Sequence, residues 1–426
     1  MSQNTPMRQT LLRVLAAPLS LALSLLPASA LAGGYFIPNQ NARDLGLSQA
    51  AVAAQTGPEA AYQNPAALAG QRGFSVSASL QAVLNQTDWT GTDALPGSAS
   101  LEPKWSTPPA LSLAWGHGLP NDMAYGVGLF FLTPGGGALN WPANWPGAQK
   151  VQTVSQQVFL AGFSLAFQPA PFLKLGGALT YTRVVEELTQ KVGFGDHLAD
   201  ARLGLGGGGF GYSAAIQLDA PWFPLTLAAS YLHKADVQLT GAVHFSGVPP
   251  TFQSLLQDQG ITAGLTVPNS LHVGASYLLP LEIRLMADWS FERWSVYAND
   301  TFVGDHGFTV TVPRAFVDAQ VYRLAAEWSH VGGTGLVVRL GGLRSVSPQP
   351  TATVSPSLPD TSSWAFSVGA GYEIIPALRV DVGYQHAIFD PLTASGTEAL
   401  GGTYNTRVEL LSLGLTFRLG GEAKAP

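Results

Sequence analysis

The most informative feature of this sequence is what it lacks. Its 426 residues include no cysteine, and only 11% of them are charged, whereas a typical soluble domain carries about 25%. The absence of cysteine excludes disulfides and thiolate metal sites. A chain with so little charge and 46% hydrophobic residues is typical of membrane proteins, so the composition argues against a set of soluble domains.

Long hydrophobic runs are also missing. After the N-terminal region, no segment offers the roughly 20 consecutive apolar residues that a spanning helix needs. In lipid every backbone polar group must find a partner, so the remaining way to span a bilayer is a closed β-barrel. The formal net charge of -6 gives no indication of a basic surface for nucleic acid.

The N-terminus has the pattern of an export signal. Basic residues precede an apolar run at 14–26, and the small-x-small sequence Ala-Leu-Ala follows at 30–32. This pattern predicts a cleaved signal peptide at 1–32 and export from the cytoplasm. The alternative is an N-terminal membrane anchor, but the apolar run is short and prolines interrupt it.

From Gly73 onward the dominant period of the sequence is two. Apolar side chains alternate with small or polar ones, for example at 74–84 and 411–419, which indicates strands with one apolar face. About fourteen such segments are present, an even number as expected for a single-chain barrel. They lie near 73–87, 108–117, 122–133, 152–168, 171–187, 208–218, 223–234, 267–279, 281–294, 314–328, 335–345, 363–374, 377–389 and 404–419.

The second face of these strands is rich in Gly, Ser, Thr and Gln, which suits the lumen of a barrel better than bulk water. Aromatic residues near strand ends predict interfacial girdles. They are Trp105, Trp115, Trp289, Trp294, Trp328, Trp364, Tyr372 and Tyr384. The sequence thus predicts an all-β, antiparallel transmembrane barrel at 73–420, with a short tail at 421–426.

The connections alternate between short turns and long loops, as in outer-membrane barrels. Long loops are predicted at 88–107, 188–207, 235–266 and 346–362. Gly204, Gly206 and Gly209 match G-x-G-x-x-G, but a strand-like run follows them where a dinucleotide site needs a helix. These glycines are therefore expected to lie in a flexible loop.

The segment 33–72 does not alternate. It is rich in Ala, Gly, Asn and Gln, and the stretch 45–54 has helical spacing. A barrel of about fourteen strands encloses a lumen wide enough for a channel or a plug, and this segment has the size of a plug, which we call the hatch. The alternative is a disordered periplasmic leader.

Several short motifs, in order along the chain, resemble one family of outer-membrane proteins. They are Gly33-Gly34-Tyr35-Phe36-Ile37-Pro38, the run at 60–68 that contains Asn64-Pro65-Ala66, and the stretches 267–274, 288–294 and 358–372. Together they resemble the FadL/TodX transporters of long-chain fatty acids and aromatic hydrocarbons.

The resemblance implies a fourteen-stranded barrel with an N-terminal hatch. Extracellular loops would capture a hydrophobic ligand, an internal pocket would hold it, and a kink in the third strand would release it sideways into the bilayer. The residues carried over are Gly33, Gly34, Tyr35, Phe36, Asn64, Pro65 and Ala66 for the hatch, Gly126 and Gly128 for the strand-3 gate, and Phe252, Leu255 and Leu256 for the outer groove.

The choice between fatty acid and neutral hydrocarbon stays open at this stage. Alternation gives five candidate lumen cations, Arg183, Arg284, Arg344, Arg379 and Arg407. The expected partners are the hydrophobic ligand, outer-membrane lipid and lipopolysaccharide, and the barrel-assembly machinery. Movement is expected to be passive because no cofactor or energy source is indicated.

Enzymatic chemistry is not indicated. The eight histidines show no metal-ligand spacing, and His272 and His386 are expected to be ordinary lumen residues. No G-x-S-x-G elbow is present, so no catalytic residue is predicted. The alternatives to a hydrophobic-substrate transporter are a general diffusion porin and, less favoured, a barrel enzyme or an adhesin.

Overall fold

The computed structural model describes residues 41–307, 309–357, 359–394 and 400–420. Three predicted segments lie outside the described residues. They are the signal peptide at 1–32, the hatch residues 33–40 with Gly33, Gly34, Tyr35 and Phe36, and the tail at 421–426. The segments with period-two alternation fold into antiparallel strands that close into a barrel of fourteen, and residues 41–70 are buried inside it. The predicted fold class is confirmed.

Each predicted segment corresponds to one barrel strand. The strands are β1 Gly73–Thr92, β2 Pro109–Gly118, β3 Ala124–Asn140, β4 Thr153–Ala170, β5 Leu173–Phe194, β6 His197–Asp219, β7 Leu225–Leu232 with Ala235–Ser246, β8 Gln259–Val267 with Ser270–Leu279, β9 Ile283–Glu292 with Asn299–Gly304, β10 Thr309–Pro313 with Ala319–Trp328, β11 Leu336–Val346, β12 Ser363–Ile375, β13 Leu378–Phe389 and β14 Gly402–Leu419. Three shorter strands, Leu95–Ser100, Trp105–Ser106 and Leu392–Ala394, pair with β1 or β14.

Pairing between the first and last strands closes the barrel. The β1–β14 register runs from Phe74 opposite Leu419 to Thr90 opposite Thr403. A closed sheet leaves no unpaired edge, which is what a β-structure in lipid requires.

The two faces of the wall differ as the alternation predicts. Leu80, Leu129, Leu324 and Leu413 point outward and are each more than half exposed, as on the lipid-facing surface of an outer-membrane barrel. Their sequence neighbours point into the lumen, where small polar residues such as Ser79 are buried.

Most of the predicted girdle aromatics lie on the outer face, among them Trp328 and Trp364. Trp294 is an exception. It is 2% exposed and packs edge-on against Tyr297 and Phe316 in the interior. Its segment leaves the wall as a short 3₁₀ helix, so alternation no longer determines the face on which it lies.

The long loop predicted at 188–207 is wrong, because β5 runs to Phe194 and β6 starts at His197. The glycines at 204, 206 and 209 lie inside β6. A Cβ on their neighbour Gly208 would be 2.1 Å from the Tyr181 hydroxyl, so close side-chain approach explains a glycine there. Glycine is depleted in strands, which made this stretch resemble a loop. The loop predicted at 235–266 likewise shortens to 247–258.

Helical structure is limited to short elements. The α-helices are α1 Ala42–Gly46 and α2 Ala60–Gln63, and the 3₁₀ helices are Pro65–Gly70, Pro250–Phe252, Pro280–Glu282, Trp294–Val296, Val331–Gly333 and Thr351–Thr353. Across the described ranges, no helix is long and apolar enough to cross a membrane.

Candidate functional site

The hatch is held in shape by a buried polar centre. Asn41 caps α1 by accepting a hydrogen bond from the Asp44 amide at 2.8 Å. The Asp44 carboxylate accepts hydrogen bonds from the side-chain amides of Gln55 and Gln63, at 3.2 and 2.6 Å. Burial raises the pKa of the Asp44 carboxyl. The polar composition of the hatch thus serves its own hydrogen bonding.

The Asn-Pro-Ala motif joins the hatch to the barrel wall. Asn64 donates to a hatch carbonyl at 2.8 Å and to the Gln217 side chain of β6 at 3.0 Å. Pro65 begins a 3₁₀ helix. A Cβ on Gly176 of β5 would lie 2.3 Å from the Ala66 nitrogen, so only a glycine allows this approach.

A chain of ion pairs, here called the Arg43 network, binds the hatch to three strands. Arg43 donates to both carboxylate oxygens of Glu327 at 3.0 and 2.8 Å. Arg339 donates to Glu327 at 2.7 Å and lies 2.9 Å from Asp381, which also pairs with Arg379 at 3.0 Å. Removing one partner from such a buried network leaves an uncompensated charge.

Gly126 and Gly128 occupy regular positions in the ladders that β3 forms with β2 and β4. A Cβ on Gly126 would lie 2.1 Å from the Leu68 carbonyl oxygen, and one on Gly128 would lie 2.7 Å from the Ala61 Cβ. These glycines therefore allow the hatch to approach the wall, and a gate at them stays a prediction.

The irregularity of β3 is a β-bulge further along the strand. Between Leu132 and Gly135 the register against β4 shifts, so that Thr133 and Pro134 both stand opposite Phe159. Bulges of this kind bend a strand and leave a residue unpaired. The bulge is therefore a second candidate for the gate, five to eight residues along β3 from the predicted pair of glycines.

A cavity of about 820 Å³ lies beside the bulge. It is lined by the segment 104–109 before β2, by 135–138 of β3 and by 155–159 of β4. Its lining includes the exposed, outward-facing Trp105 and Gln157 and also the buried Gln156. It therefore reaches both faces of the wall, and we call it the side opening.

The side opening continues into a cavity of the lumen, the first chamber. The two spaces share Lys104, Ser106 and the residues 136–138. The first chamber is largely apolar, and its apolar lining includes Val83, Val321, Leu343, Ala365, Phe389 and Leu410.

A second chamber of about 830 Å³ lies between the hatch and strands β6 to β9. It shares Gln49 and Glu292 with the first chamber, so the two are neighbouring parts of one lumen. Polar groups are more frequent here. They come from Gln63, Ser213, Ser230, Ser270, His272 and Asp288.

The opposite end of the lumen is closed by a large apolar cluster, here called the outer cap. Trp141 stacks on Trp145 with ring centroids 4.3 Å apart, and Trp145 meets Trp89 edge-on. All three are less than 5% exposed, and Tyr404 is buried beside them. Leucine and valine side chains from β3 to β8 complete the cluster.

A barrel with a hatch, internal chambers and a bulged third strand matches the architecture that the resemblance implies. The sequence profile of the family described as "Outer membrane protein transport protein (OMPP1/FadL/TodX)" matches residues 23–419. This chain belongs to that family. It is therefore an outer-membrane transporter of hydrophobic molecules and not an enzyme.

Individual relatives of the family are distant. The structure resembles a FadL homologue of Pseudomonas aeruginosa with a TM-score of 0.78 at 18% identity, over 91% of this chain and 100% of that one. It resembles the toluene transporter TodX of P. putida with a TM-score of 0.70 at 14% identity, over 91% and 100%. A "47 kDa outer membrane protein" of Pasteurella multocida (strain Pm70) is 26% identical over 191 residues, which are 42% of this chain and 43% of that protein.

Three of the five predicted lumen cations of this FadL/TodX-family chain point outward. Arg183 and Arg407 are exposed on the outer face, and Arg344 lies over the exposed ring of Trp364 and pairs with Asp390. Each of these arginines has the same parity as the outward-facing leucines of its own strand, such as Leu179, Leu340 and Leu411, so these assignments are wrong.

The other two predicted cations do point inward, but at the hatch end. Arg284 donates to Ser276 at 3.3 Å, and Arg379 belongs to the Arg43 network. Neither lines either chamber. The cations that do are Lys104, where the first chamber meets the side opening, and Arg323 of β10, which is 4% exposed. Arg323 is indicated by the alternation of Val, Arg, Ala and Glu at 321–327.

The predicted groove residues lie in a closed cluster outside the chambers. Leu256 is 6% exposed and packs against Val192 and Ala201, while Phe252 contacts Phe194 with ring centroids 4.8 Å apart. The cluster ties the tip of the β5–β6 hairpin to the loop between β7 and β8. An exposed apolar surface at this tip therefore stays a prediction. Among the three predicted groove residues, only Leu255, which is 37% exposed, supports it.

The two histidines expected in the lumen, His272 and His386, lie on opposite faces of the wall. His272 lines the second chamber, whereas His386 pairs with Glu409 on the outer face at 2.7 Å. Within the described part of the chain, no group of three or more His, Cys, Asp or Glu residues is arranged to hold a metal ion.

Proposed function

We propose that this barrel takes up hydrophobic small molecules passively, through the outer cap, the two chambers and the side opening into the outer leaflet. The observation that carries the proposal is the continuity between the first chamber and the side opening, which share Lys104, Ser106 and the residues 136–138. A molecule in the chamber has a short path to the lipid and none of that path crosses the hatch.

The substrate class follows from the lining. Moving an apolar molecule from water into an apolar pocket is favourable by about 25 cal/mol per Å² of buried surface, and the lining of the first chamber is largely apolar. Two structural relatives are toluene transporters by name, which supports aromatic hydrocarbons as compounds to test, and membership of the FadL/TodX family adds long-chain fatty acids. Outer-membrane lipid, lipopolysaccharide and the barrel-assembly machinery stay predicted partners.

The route is tested by removing the bulge. Deleting Pro134 takes away the extra residue of β3, so the ladder with β4 becomes continuous and the side opening narrows. We expect uptake of radiolabelled oleate and toluene by cells to fall to the level of cells without the barrel. The matched control is Pro134→Ala, which keeps the extra residue and should retain most of the uptake.

Outer-membrane insertion of each variant is checked by heat-modifiable mobility on gels. Undiminished uptake by the inserted deletion variant would refute the lateral route. Absence of uptake by the unmodified protein, together with a large ion conductance, would instead favour a general diffusion porin.

A further inference from the structure

Four adjacent strands of the wall are interrupted at one level. The periplasmic segments of β7 to β10 end in a row of residues that pair with one another across the sheet, namely Leu232, Ser270, Glu292 and Ala319. The periplasmic segments of β8 and β9 are each 10 residues long, which is about the length that a barrel strand needs to cross the bilayer. The interruption therefore lies at the outer edge of the hydrocarbon region.

At this level the ladder between β8 and β9 is open. Below the row the two strands pair continuously, and above it they pair again only from Ala263 opposite Phe302. Between these points, in a part of the chain that the structure describes throughout, residues 264–269 of β8 and 293–301 of β9 form no ladder pairs with each other. Such backbone at membrane depth is tolerated only where protein covers it or a cavity lies behind it.

The gap is covered by the segment 293–298, which leaves the wall as a short 3₁₀ helix. Trp294 is 2% exposed, and its ring lies edge-on to Tyr297 and Phe316 with ring centroids 6.5 and 6.1 Å away. Its indole N–H donates a hydrogen bond to Glu292 at 2.8 Å. We call Trp294, Tyr297 and Phe316 the stopper.

The stopper is anchored by a buried ion pair. The Tyr297 hydroxyl donates to Asp300, whose carboxylate also accepts from Nε of Arg314 at 2.5 Å. Asp300 and Arg314 are each 3% exposed. Tyr297 is thus held by a directional bond, whereas the ring of Trp294 is held by one hydrogen bond and by apolar packing.

The second chamber lies behind the stopper. Its lining includes both edges of the gap, with Val267 and Pro268 from β8 and Glu292 and Trp294 from β9. The ring of Trp294 therefore stands between this chamber and the open part of the ladder.

We propose that the gap between β8 and β9 is a second lateral opening, and that Trp294 keeps it shut so that ligand leaves only through the side opening. With Trp294 removed, a ligand in the second chamber reaches the outer leaflet on this side of the barrel as well. The proposal rests on the uptake function proposed above and adds to it a residue that decides which part of the wall serves as the exit.

The absence of native cysteine allows a direct test of access from the lipid. Ser270→Cys places one thiol at the edge of the gap, in the lining of the second chamber. The full-length barrel, with Pro134 deleted to narrow the side opening, is placed in nanodiscs that contain phosphatidylethanolamine with a maleimide on its headgroup. We expect slow labelling with Trp294 in place and labelling roughly tenfold or more faster with Trp294→Ala.

Two further variants keep the result specific to the stopper. Phe316→Ala removes a neighbouring ring and should also speed labelling, which provides a second test if Trp294→Ala does not fold. The matched control is Trp141→Ala, because this tryptophan is also 2% exposed and belongs to the same apolar cluster but does not line the second chamber. It should leave labelling slow. Slow labelling of folded Trp294→Ala and Phe316→Ala barrels, or equally fast labelling of Trp141→Ala, would overturn the proposal.

Uptake by cells connects the opening to transport. Deleting Pro134 is expected to stop uptake of radiolabelled toluene, and adding Trp294→Ala to this deletion should restore most of it. No restoration by an inserted double variant that labels fast would overturn the gap as an exit for ligand. If the unmodified barrel takes up nothing, the uptake function itself fails, whereas the labelling rates still show whether Trp294 closes the gap.

Discussion

At the periplasmic end the lumen is closed by the hatch, which contacts the wall through the Arg43 network, through hydrogen bonds such as that from Asn64 to Gln217, and at glycines without side chains. At the outer end it is closed by the outer cap, in which tryptophan rings pack on leucine and valine side chains. The first closure combines apolar packing with buried charge-assisted bonds, whereas the second is mainly apolar.

This difference fits the direction of transport. An apolar molecule can replace the apolar contacts of the outer cap with contacts of its own, because such contacts are not directional. It offers no replacement for the charge-assisted bonds of the hatch, which are costly to break inside a protein. A hydrophobic molecule can therefore pass the outer cap, while the hatch stops it and leaves the side opening as its exit.

The largest expected effect on closure of the lumen comes from removing the central charge of the hatch. Arg43→Ala leaves Glu327 buried with only Arg339 to compensate it, and losing one member of a buried pair costs about 3–5 kcal/mol. We expect the hatch to leave its seat and the barrel to conduct ions in planar bilayers, where the wild-type barrel stays nearly closed.

Arg202→Ala provides the control for this variant, since it removes an arginine from an exposed pair with Glu187. Such pairs contribute about 0–1 kcal/mol, so conductance should not change. Closed channels with Arg43→Ala would mean that the hydrogen bonds and the close packing hold the hatch without the ion pairs.

A steric change should displace the hatch less completely. Gly126→Val puts a Cβ about where the Leu68 carbonyl lies, at 2.1 Å, so the hatch must shift while its ion pairs remain. We expect a partial ion leak, and an Ala61→Cys reporter, buried in the parent, should become reactive to maleimide. The absence of native cysteine makes the labelling unambiguous.

Gly264→Val is the matched substitution, because a Cβ at Gly264 has no atom within 4 Å. It should leave the reporter protected and the channel closed. Equal labelling of the two glycine variants would show that strand propensity, and not contact with the hatch, controls the result.

The outer cap should tolerate damage with little ion leak. Trp141→Ala removes a stacked ring that is 2% exposed, and truncations of this kind cost about 3–5 kcal/mol locally. We expect thermal unfolding to begin at a lower temperature while conductance stays low, since the hatch still closes the lumen. A conductance as large as that of Arg43→Ala would mean that the two closures depend on each other.

The sequence predicts the wall of this barrel better than its interior. Strand periodicity depends on local alternation, so the fourteen segments and the hatch were predictable. Arg183, Arg344 and Arg407 have the same parity as outward-facing leucines of their own strands, so local alternation already indicates their face. The departure of Trp294 from the wall is not visible in local alternation.

The gate illustrates the second limit. Glycine in a strand signals either a bend or a close approach, and Gly126 serves the approach of Leu68. The bulge at Pro134 depends on the register between two strands, which no single segment contains. The Arg43 network joins residues up to 338 positions apart in the chain (Arg43 to Asp381), so only the fold brings them together.

The smallest effect is expected at an exposed ionic contact, between His330 and Glu282, at the same end of the barrel as the buried Arg43 network. In the turn after β10, a hydrogen bond to Glu282 raises the pKa of His330. A raised folded-state pKa adds stability below the unfolded value of about 6.5, and this stability is lost as pH rises through the folded-state pKa. Because both side chains are about half exposed, the contribution is about 1 kcal/mol at most.

His330→Asn suits this test because His330 has a φ of 50°, a conformation that asparagine tolerates. The wild-type barrel should exceed the variant in free energy of unfolding by urea at about pH 5.5, and the two should converge near pH 9. Ion conductance should stay low in both at either pH, because neither His330 nor Glu282 belongs to the ion pairs of the Arg43 network. A leak that appears with pH only in the wild type would mean that exposed charges at this end also hold the hatch, and the contrast with the buried pairs would then disappear.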